Sequence, residues 1–272
     1  MLPYFRTYAF VAYIVGVAAP VLLITGLSWI LDFYVVSTLP GLISAILLMI
    51  ISLLTAKKIV TGMADRKTSE MLSLYNDKCD PQAFVDASQT VVREMRPPYD
   101  ETASWYLSFY ALALDDLGKR EEAVRIGQAM LSSAQMAQDP KVKAALLVNI
   151  EPLVQRLFGV QQALDVVVQG QEVLAGSTDP DDLNRVSFLK WEQGILEAIR
   201  DGNDAVLIER FSGIRMSTGH PMRIRVSYAL LEASVRKSRG EKGKERECLE
   251  FVVANGGKLP AVGLAQERLK EL

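Results

Sequence analysis

The chain is poor in the residues that most often carry chemistry. Its 272 residues include one histidine, His220, and two cysteines, Cys79 and Cys248. A single histidine excludes a metal site built from several histidines of one chain, and the cysteines are too far apart in sequence for the usual zinc spacings. The motifs G-x-x-x-x-G-K-S/T, G-x-G-x-x-G and H-E-x-x-H do not occur. We therefore predict a protein that is not an enzyme and that uses no cofactor and no metal.

Charge is almost missing from the first 56 residues, where Asp32 is the only charged residue between Arg6 and Lys57. The segment holds two apolar runs, residues 9–31 and 39–56. Runs of about 18 to 23 residues, at 1.5 Å per residue, match a hydrocarbon core of roughly 30 Å. A cleaved signal peptide would have a shorter apolar core and would not be followed at once by a second run. We predict a two-span transmembrane hairpin in residues 1–58.

Basic residues flank the hairpin but are absent from its connection. Arg6 precedes the first run, and Lys57 and Lys58 follow the second, whereas the connection from Asp32 to Thr38 has no Lys or Arg. The positive-inside rule then places both termini in the cytoplasm. In that reducing compartment the two cysteines are expected to be free, packed thiols.

Small residues recur at a spacing of four in both runs, as Ala12 and Gly16 and as Gly41 and Ala45. Such residues let helices approach closely, either within one hairpin or between copies of the chain. The runs carry no ionisable group in their interior, which transport paths usually need. The hairpin is therefore interpreted as an anchor.

After the hairpin the chain is charged but nearly balanced, since the whole protein has a net charge of -2. A dedicated nucleic-acid binder would show a strong basic excess, so no nucleic acid is expected as a partner. Helix starts of the form cap plus proline occur at Asp80, Asp139, Asp179 and His220, each followed by an apolar-periodic segment. Those segments end near Gly118, Gly159, Gly202 and Gly240, and alanines follow the first three at Ala123, Ala163 and Ala205. The pattern predicts helix pairs joined by tight glycine turns.

The segment Tyr110 to Met130, reading YALALDDLGKREEAVRIGQAM, resembles a tetratricopeptide repeat at Ala111, Gly118 and Ala123. Trp191 and Gly194 partly match the tryptophan and glycine of that family's first helix. The units are nearer 40 than 34 residues, and Pro152 falls inside a first helix. The resemblance covers residues 100–255, and it extends to bacterial proteins that carry such a domain behind an amino-terminal membrane hairpin. It implies a bacterial cell membrane as the location.

The predicted fold is all-α, a two-span hairpin followed by a tetratricopeptide-like α-solenoid of antiparallel helix pairs. Residues 59–79 are predicted as a juxtamembrane linker and first helix, and residues 80–272 as the repeat domain. The predicted helices are Ala64 to Lys78, Pro81 to Met95, Thr102 to Leu117, Lys119 to Gln135, Lys141 to Phe158, Val160 to Ala175, Asp181 to Arg200, Asn203 to Ile214, Met222 to Arg239, Lys242 to Ala254 and Ala261 to Leu269.

Stacked pairs leave a concave groove that suits an extended peptide or a partner's helix. On the first helices, Asn149, Arg156, Glu192 and Arg200 are the candidate groove residues, taken as surface positions. The predicted function is a scaffold that holds a protein or peptide partner at the cytoplasmic face of the membrane. The alternative is an accessory subunit of a larger membrane complex, a transporter or a membrane enzyme, that docks through its hairpin.

Three further groups of side chains have two interpretations each. A basic cluster in the last pair would face anionic lipid or an acidic partner, or form a solvated face with local ion pairs. It comprises Arg223, Arg225, Arg236, Lys237, Arg239, Lys242, Lys244 and Arg246. Trp105, Tyr106, Phe109 and Tyr110 would line the groove or pack on the preceding pair. An acidic patch beside Gly118, comprising Asp115, Asp116, Glu121 and Glu122, would be a binding surface or, equally well, the polar flank of an exposed turn between helices.

Overall fold

The described part of the chain in the computed structural model, Tyr4 with residues 8–30 and 39–272, is helical and contains no strand. Side chains of residues 27–30 and 39–42 are not described. Arg6 and the connection from Asp32 to Thr38, which carry the topology prediction, lie outside the described residues. The helices are α1 Ala9–Tyr13, a π-helical turn Ile14–Ala18, α2 Ala19–Ile30, α3 Leu39–Asn76, α4 Pro81–Glu94, α5 Glu101–Asp116, α6 Arg120–Met136, α7 Pro140–Phe158, α8 Val160–Val173, α9 Pro180–Asp201, α10 Asp204–Met216, α11 Met222–Ser238, α12 Lys242–Asn255 and α13 Pro260–Glu271.

Every helix predicted from Pro81 onward is confirmed, with ends within two residues of the prediction. The predicted start at Ala64 is wrong, because α3 runs unbroken from Leu39 to Asn76. The segment between Lys57 and Ala64 contains no proline, and its one glycine, Gly62, costs only about 1 kcal/mol in a helix interior. No linker separates the second apolar run from the helix that follows.

Aspartates cap three helices as predicted. The carboxylate of Asp80 accepts a hydrogen bond from the Ala83 N–H at 3.1 Å, and those of Asp139 and Asp179 accept from residues two further on. Each cap satisfies a backbone donor that has no partner within the helix. The prediction for His220 is wrong, because the position before α11 is Pro221, which makes no side-chain cap.

Glycines end the helices in the left-handed region that an ordinary side chain avoids. Gly118, Gly159, Gly202 and Gly240 have φ values of 75°, 98°, 65° and 70°. Ala123 and Ala163 after the first two turns are fully buried. Ala205 is exposed, so the third unit does not follow the same pattern.

The chain divides into two compact units, Met1–Glu70 and Met71–Leu272. Segments Ala9–Gly26 and Ile43–Asn76, the second of which continues past Glu70 into the C-terminal unit, lie in helices long and apolar enough to cross a membrane. Gly16 packs against α3, where an added Cβ would lie 3.2 Å from Ala56 Cβ and from Leu53 Cδ2. The small residue that Gly16 meets is thus Ala56, while Gly41 and Ala45 lie near the start of α3. Pro20 has no N–H to bond the Gly16 carbonyl, which explains the π-helical turn at that place.

The C-terminal unit packs its helices largely in chain order, each on the next. The odd-numbered helices from α5 to α9 also contact one another, α5 with α7 and α7 with α9. Every second helix from α5 to α13 begins about 40 residues after the one before it. The starts of α5, α7, α9, α11 and α13 are Glu101, Pro140, Pro180, Met222 and Pro260. Both cysteines are free and buried, as predicted.

The end of the C-terminal unit returns to its beginning. The turn from Gly256 to Leu259, called here the closing turn, lies against the turn between α3 and α4. The Lys258 N–H donates to the Cys79 carbonyl at 2.9 Å, and Lys258 Nζ lies 2.5 Å from Asp80 Oδ2. Gly257 has a φ of 53°, and a Cβ there would lie 2.7 Å from the Lys78 carbonyl oxygen. Only glycine fits this position.

Replacing Gly257 tests whether this contact stabilises the unit. Gly257→Ala and its control Gly240→Ala share the strain of a positive φ, about 1 to 2 kcal/mol. Gly240 has open space around it, so only Gly257→Ala adds a backbone clash, with an expected further cost of about 1 to 3 kcal/mol. Denaturant unfolding of the two variants measures the difference. Equal stability would mean that the closing turn contributes nothing.

Candidate functional site

The inner face of the C-terminal unit is the surface where α5, α7, α9 and α11 meet. Glu101, at the start of α5, contacts side chains of both α7 and α9. Asn149 Nδ2 on α7 donates to the Glu101 carbonyl at 3.1 Å, and Arg185 Nη2 on α9 lies 2.8 Å from Glu101 Oε1. Side chains that follow these three residues by one or two helical turns lie on the same side of each helix, and we assign them to the inner face.

Of the four predicted groove residues, some make contacts within the chain and others are exposed to solvent. Asn149 is half-buried on the inner face, and Arg200 is exposed and pairs only with its neighbour Asp201. Arg156 bridges two repeats, since its Nε lies 2.6 Å from Asp115 Oδ2 and its Nη2 2.5 Å from Asp116 Oδ1. Glu192 is buried, so treating it as a surface position is wrong. Their role in binding a partner stays a prediction.

Asp115 and Asp116 are not free residues of an exposed turn. Their side chains are only 8% exposed, because Arg156 of the next repeat lies over them and Asp115 also pairs with Arg120. The Asp116 carboxylate further accepts a 2.6 Å hydrogen bond from the Tyr75 hydroxyl at the end of α3. Burial is the main cause that raises the pKa of Tyr75, so the phenol stays protonated and remains a donor. One ion-pair network thus connects α3, α5 and α7.

Arg223 joins α11 to the same network through aromatic rings. Its guanidinium carbon lies 4.6 Å from the Tyr75 ring centroid and 5.8 Å from that of Phe109, and its Nε donates to Asn76 Oδ1 at 3.2 Å. The residue is only 6% exposed. A flat guanidinium can stack on rings on both sides while donating in its own plane. Arg223 therefore links α11 to the end of α3 and to α5.

The four aromatic residues of α5 divide between core and inner face. Tyr106 and Tyr110 pack on Phe84 of the preceding pair, with ring centroids 5.7 and 6.4 Å apart. Trp105 and Phe109 instead contact each other at 5.5 Å, and Trp105 remains 36% exposed. The interpretation as packing on the preceding pair is confirmed for Tyr106 and Tyr110, and that Trp105 and Phe109 line a groove stays a prediction.

Phe188 on α9 is a second exposed aromatic residue. It follows Arg185 by three residues and is 38% exposed, while Trp105 follows Glu101 by four. The Glu101–Arg185 ion pair joins α5 to α9 one helical turn before these two rings. Each of the two helices therefore carries an exposed ring one turn beyond the ion pair.

Two glutamates deeper on the inner face have no compensating cation. Glu151 on α7 is 1% exposed and neither carboxyl oxygen has a hydrogen-bond partner among the described residues. Burial, with repulsion from Glu192 on α9, raises the pKa of Glu151 to about 9. Burial raises the pKa of Glu192 to about 7. Near neutral pH the carboxyl of Glu151 therefore favours the protonated form, whereas that of Glu192 is close to its midpoint.

Sequence reasoning missed Glu151, although a signal for it exists. Glu151 falls on the apolar stripe of α7, four residues after Leu147 and three before Val154, both of them buried. Glu192 similarly falls between Leu189 and Leu196 on α9. Helical periodicity places both acids in the core, and only the residue type argued for the surface.

The basic cluster of the last pair is largely neutralised within the chain. Arg236 pairs with Glu232 and Glu241, and Glu241 also accepts from Arg239 and Lys244. The cluster's other members are Arg223, inside the unit, Arg225 against the Phe251 ring, Lys237 near Glu271, and the exposed Lys242 and Arg246. Local ion pairs account for most of this surface.

Within residues 8–30 and 39–272 no group of three or more His, Cys, Asp or Glu side chains could hold a metal ion. No family model, curated protein or solved structure matches this chain. The interpretation of the inner face therefore depends on its own geometry.

Changing Arg223 to lysine tests its role in linking α11 to α3 and α5. Lysine keeps the charge but cannot stack a flat group on Tyr75 and Phe109, so we expect a loss of about 1 to 2 kcal/mol in the free energy of unfolding. Arg246→Lys, at an exposed position, is expected to stay within about 0.5 kcal/mol of wild type. Urea unfolding followed by tryptophan fluorescence gives both values. If Arg223→Lys behaves like the control, charge alone accounts for the contact.

Proposed function

We propose that this protein is a membrane-anchored, tetratricopeptide-like scaffold that holds a protein or peptide partner at the cytoplasmic face of a bacterial membrane. The observation that carries the proposal is the exposure of two aromatic rings, Trp105 on α5 and Phe188 on α9, on helices that the Glu101–Arg185 ion pair joins. Partly exposed aromatic rings beside polar, hydrogen-bonding side chains are the usual anchors of protein recognition.

The helices of the hairpin support the anchor. Their described surfaces leave large apolar side chains in solvent, among them Phe10, Leu22, Ile46, Ile51 and Leu54, with exposures between 50% and 72%. A water-soluble protein rarely leaves so much apolar surface uncovered, whereas a bilayer would cover it. We propose that both helices span the membrane, with both termini in the cytoplasm.

The same surfaces favour an anchor over a docking subunit. Helices that pack on other membrane helices present small or polar residues at the contact. The small residue Gly16 is already used against α3, and the outward positions described are mostly Leu, Ile and Phe. An accessory subunit of a larger complex remains the second candidate, and the next experiment separates the two.

Removing the two aromatic rings tests the scaffold. The full-length protein is purified in mild detergent with its bound partners, which mass spectrometry quantifies. We expect Trp105→Ala with Phe188→Ala to reduce the captured partner at least tenfold, because buried aromatic anchors carry about 2 kcal/mol or more each. Met136→Ala with Leu264→Ala, which removes equally exposed side chains of α6 and α13, should leave capture unchanged.

One combination of results would contradict the scaffold proposal. Full capture by the Trp105 and Phe188 variant, together with loss of capture when residues 1–58 are replaced by an unrelated two-span hairpin, would assign binding to the hairpin. Thermal unfolding of each variant checks that the C-terminal unit remains folded.

Reporter fusions test the topology. A reporter active only in the cytoplasm should work when fused after Leu272, and one active only outside should work when inserted between Asp32 and Thr38. The charge difference across the hairpin is the physical reason. The reverse pattern would place the C-terminal unit outside the cytoplasm and remove the basis for reduced cysteines.

A further inference from the structure

The two glutamates of the inner face are placed where their charge state affects three helices. Glu151 lies on α7, Glu192 on α9, and Tyr228 of α11 lies within electrostatic reach of both. The Tyr228 ring packs on the core cluster of α9 and α10 that contains Ile195 and Phe211. The acid pair therefore lies where α7, α9 and α11 approach one another.

Few charged groups shift the pKa values of Glu151 and Glu192. Glu192 acts on Glu151 by repulsion, and burial alone accounts for the shift of Glu192 itself. Arg223 of α11 acts on Tyr228 but not on either carboxyl. The other helices packed on α7 and α9, namely α5, α6, α8 and α10, bring no charged group that shifts either carboxyl.

An ionised carboxylate in this position is strongly disfavoured. Both Glu151 oxygens are buried without a donor, so ionisation would leave a charge that neither water nor protein compensates. Ionising Glu192 as well would place two like charges close together in an apolar interior. The arrangement is stable only while at least one proton is bound.

We propose that Glu151 and Glu192 form a proton-dependent latch, which holds α7, α9 and α11 together when protonated and loosens their contact when it ionises. The exchange is simple, because each carboxyl releases one proton to water and gains one negative charge. No other reactant takes part. The latch does not depend on the identity of any partner.

The direction of the pH dependence follows from the raised pKa values. The stability due to the protonated pair is fully present below the usual carboxyl pKa of 4.5 and is lost as pH rises through about 7 for Glu192 and about 9 for Glu151. Five carboxylates with lowered pKa work in the opposite direction, but below pH 4.5. They are Asp80, Asp100, Asp179, Asp201 and Glu241. Between pH 5 and 9 the acid pair is expected to dominate.

Unfolding and hydrogen exchange of the full-length protein in detergent micelles test the latch. From pH 5 to 9 the unfolding equilibrium constant of wild type should rise, by about tenfold per pH unit for each proton that only the folded state retains. Amide exchange, corrected for the intrinsic effect of pH, should accelerate in α7, α9 and α11 before it does in α12.

Glu151→Gln supplies the matched neutral side chain. This variant should unfold with a flatter pH dependence and be more stable than wild type at pH 9. Glu209→Gln, which removes an exposed glutamate in the middle of α10, should keep the wild-type slope. Equal slopes for wild type and Glu151→Gln would overturn the proposal.

A second measurement covers the case in which Glu151→Gln does not fold. Infrared spectra of wild type at pH 6 should contain the carbonyl band of a protonated carboxyl group, and this band should disappear as pH rises to 10. Glu192→Gln should remove part of the band. If wild type has no such band at pH 6, the pair is ionised in the folded state and there is no latch.

Discussion

The closing turn lies on the turn between α3 and α4, and much of the C-terminal unit depends on that contact. A stack of helix pairs that ended freely would leave its concave side open along its whole length. Here the Lys258 N–H binds the Cys79 carbonyl, and Gly257 is the only residue type that fits. With its two ends joined, the unit brings Arg223 of the last pair over Tyr75 and Phe109. Part of the inner face is thereby filled by the chain's own side chains, whereas Trp105 and Phe188 stay exposed.

Two kinds of buried charge lie on the inner face, and they have different physical consequences. Asp116 is paired with Arg156 and accepts from Tyr75, so its charge is compensated and removing one partner would strand the others. Glu151 has no such partner, and the simplest way to remove its cost is to bind a proton. The paired network joins α3, α5 and α7 through compensated charges. The unpaired acid makes part of the same interface depend on pH.

Sequence patterns predicted the helices well and the contacts between distant helices poorly. Caps, glycine turns and apolar periodicity are local, and they gave the ends of the helices from Pro81 onward to within two residues. The unbroken α3 was missed because a change in composition at Lys57 is not a helix-breaking signal. Arg156 pairs with carboxylates of α5 and Glu192 acts on Glu151 of α7, and no local pattern predicts such contacts between distant helices. The closing turn joins residues about 180 positions apart, which no local pattern encodes.

The N-terminal and C-terminal units treat their apolar side chains in opposite ways, and the hydrophobic effect accounts for both. The described helices of the N-terminal unit leave Leu22 and Leu54 exposed, a state that favours a surrounding apolar medium. The C-terminal unit buries its apolar stripes, and the acids Glu151 and Glu192 occupy positions on those stripes that hydrophobic residues would fill more stably. Hydrophobic residues of similar volume would remove the sensitivity to pH together with the cost. The buried Glu151 therefore fits this core only while it keeps its proton, because ionisation would leave a charge that no neighbouring group compensates.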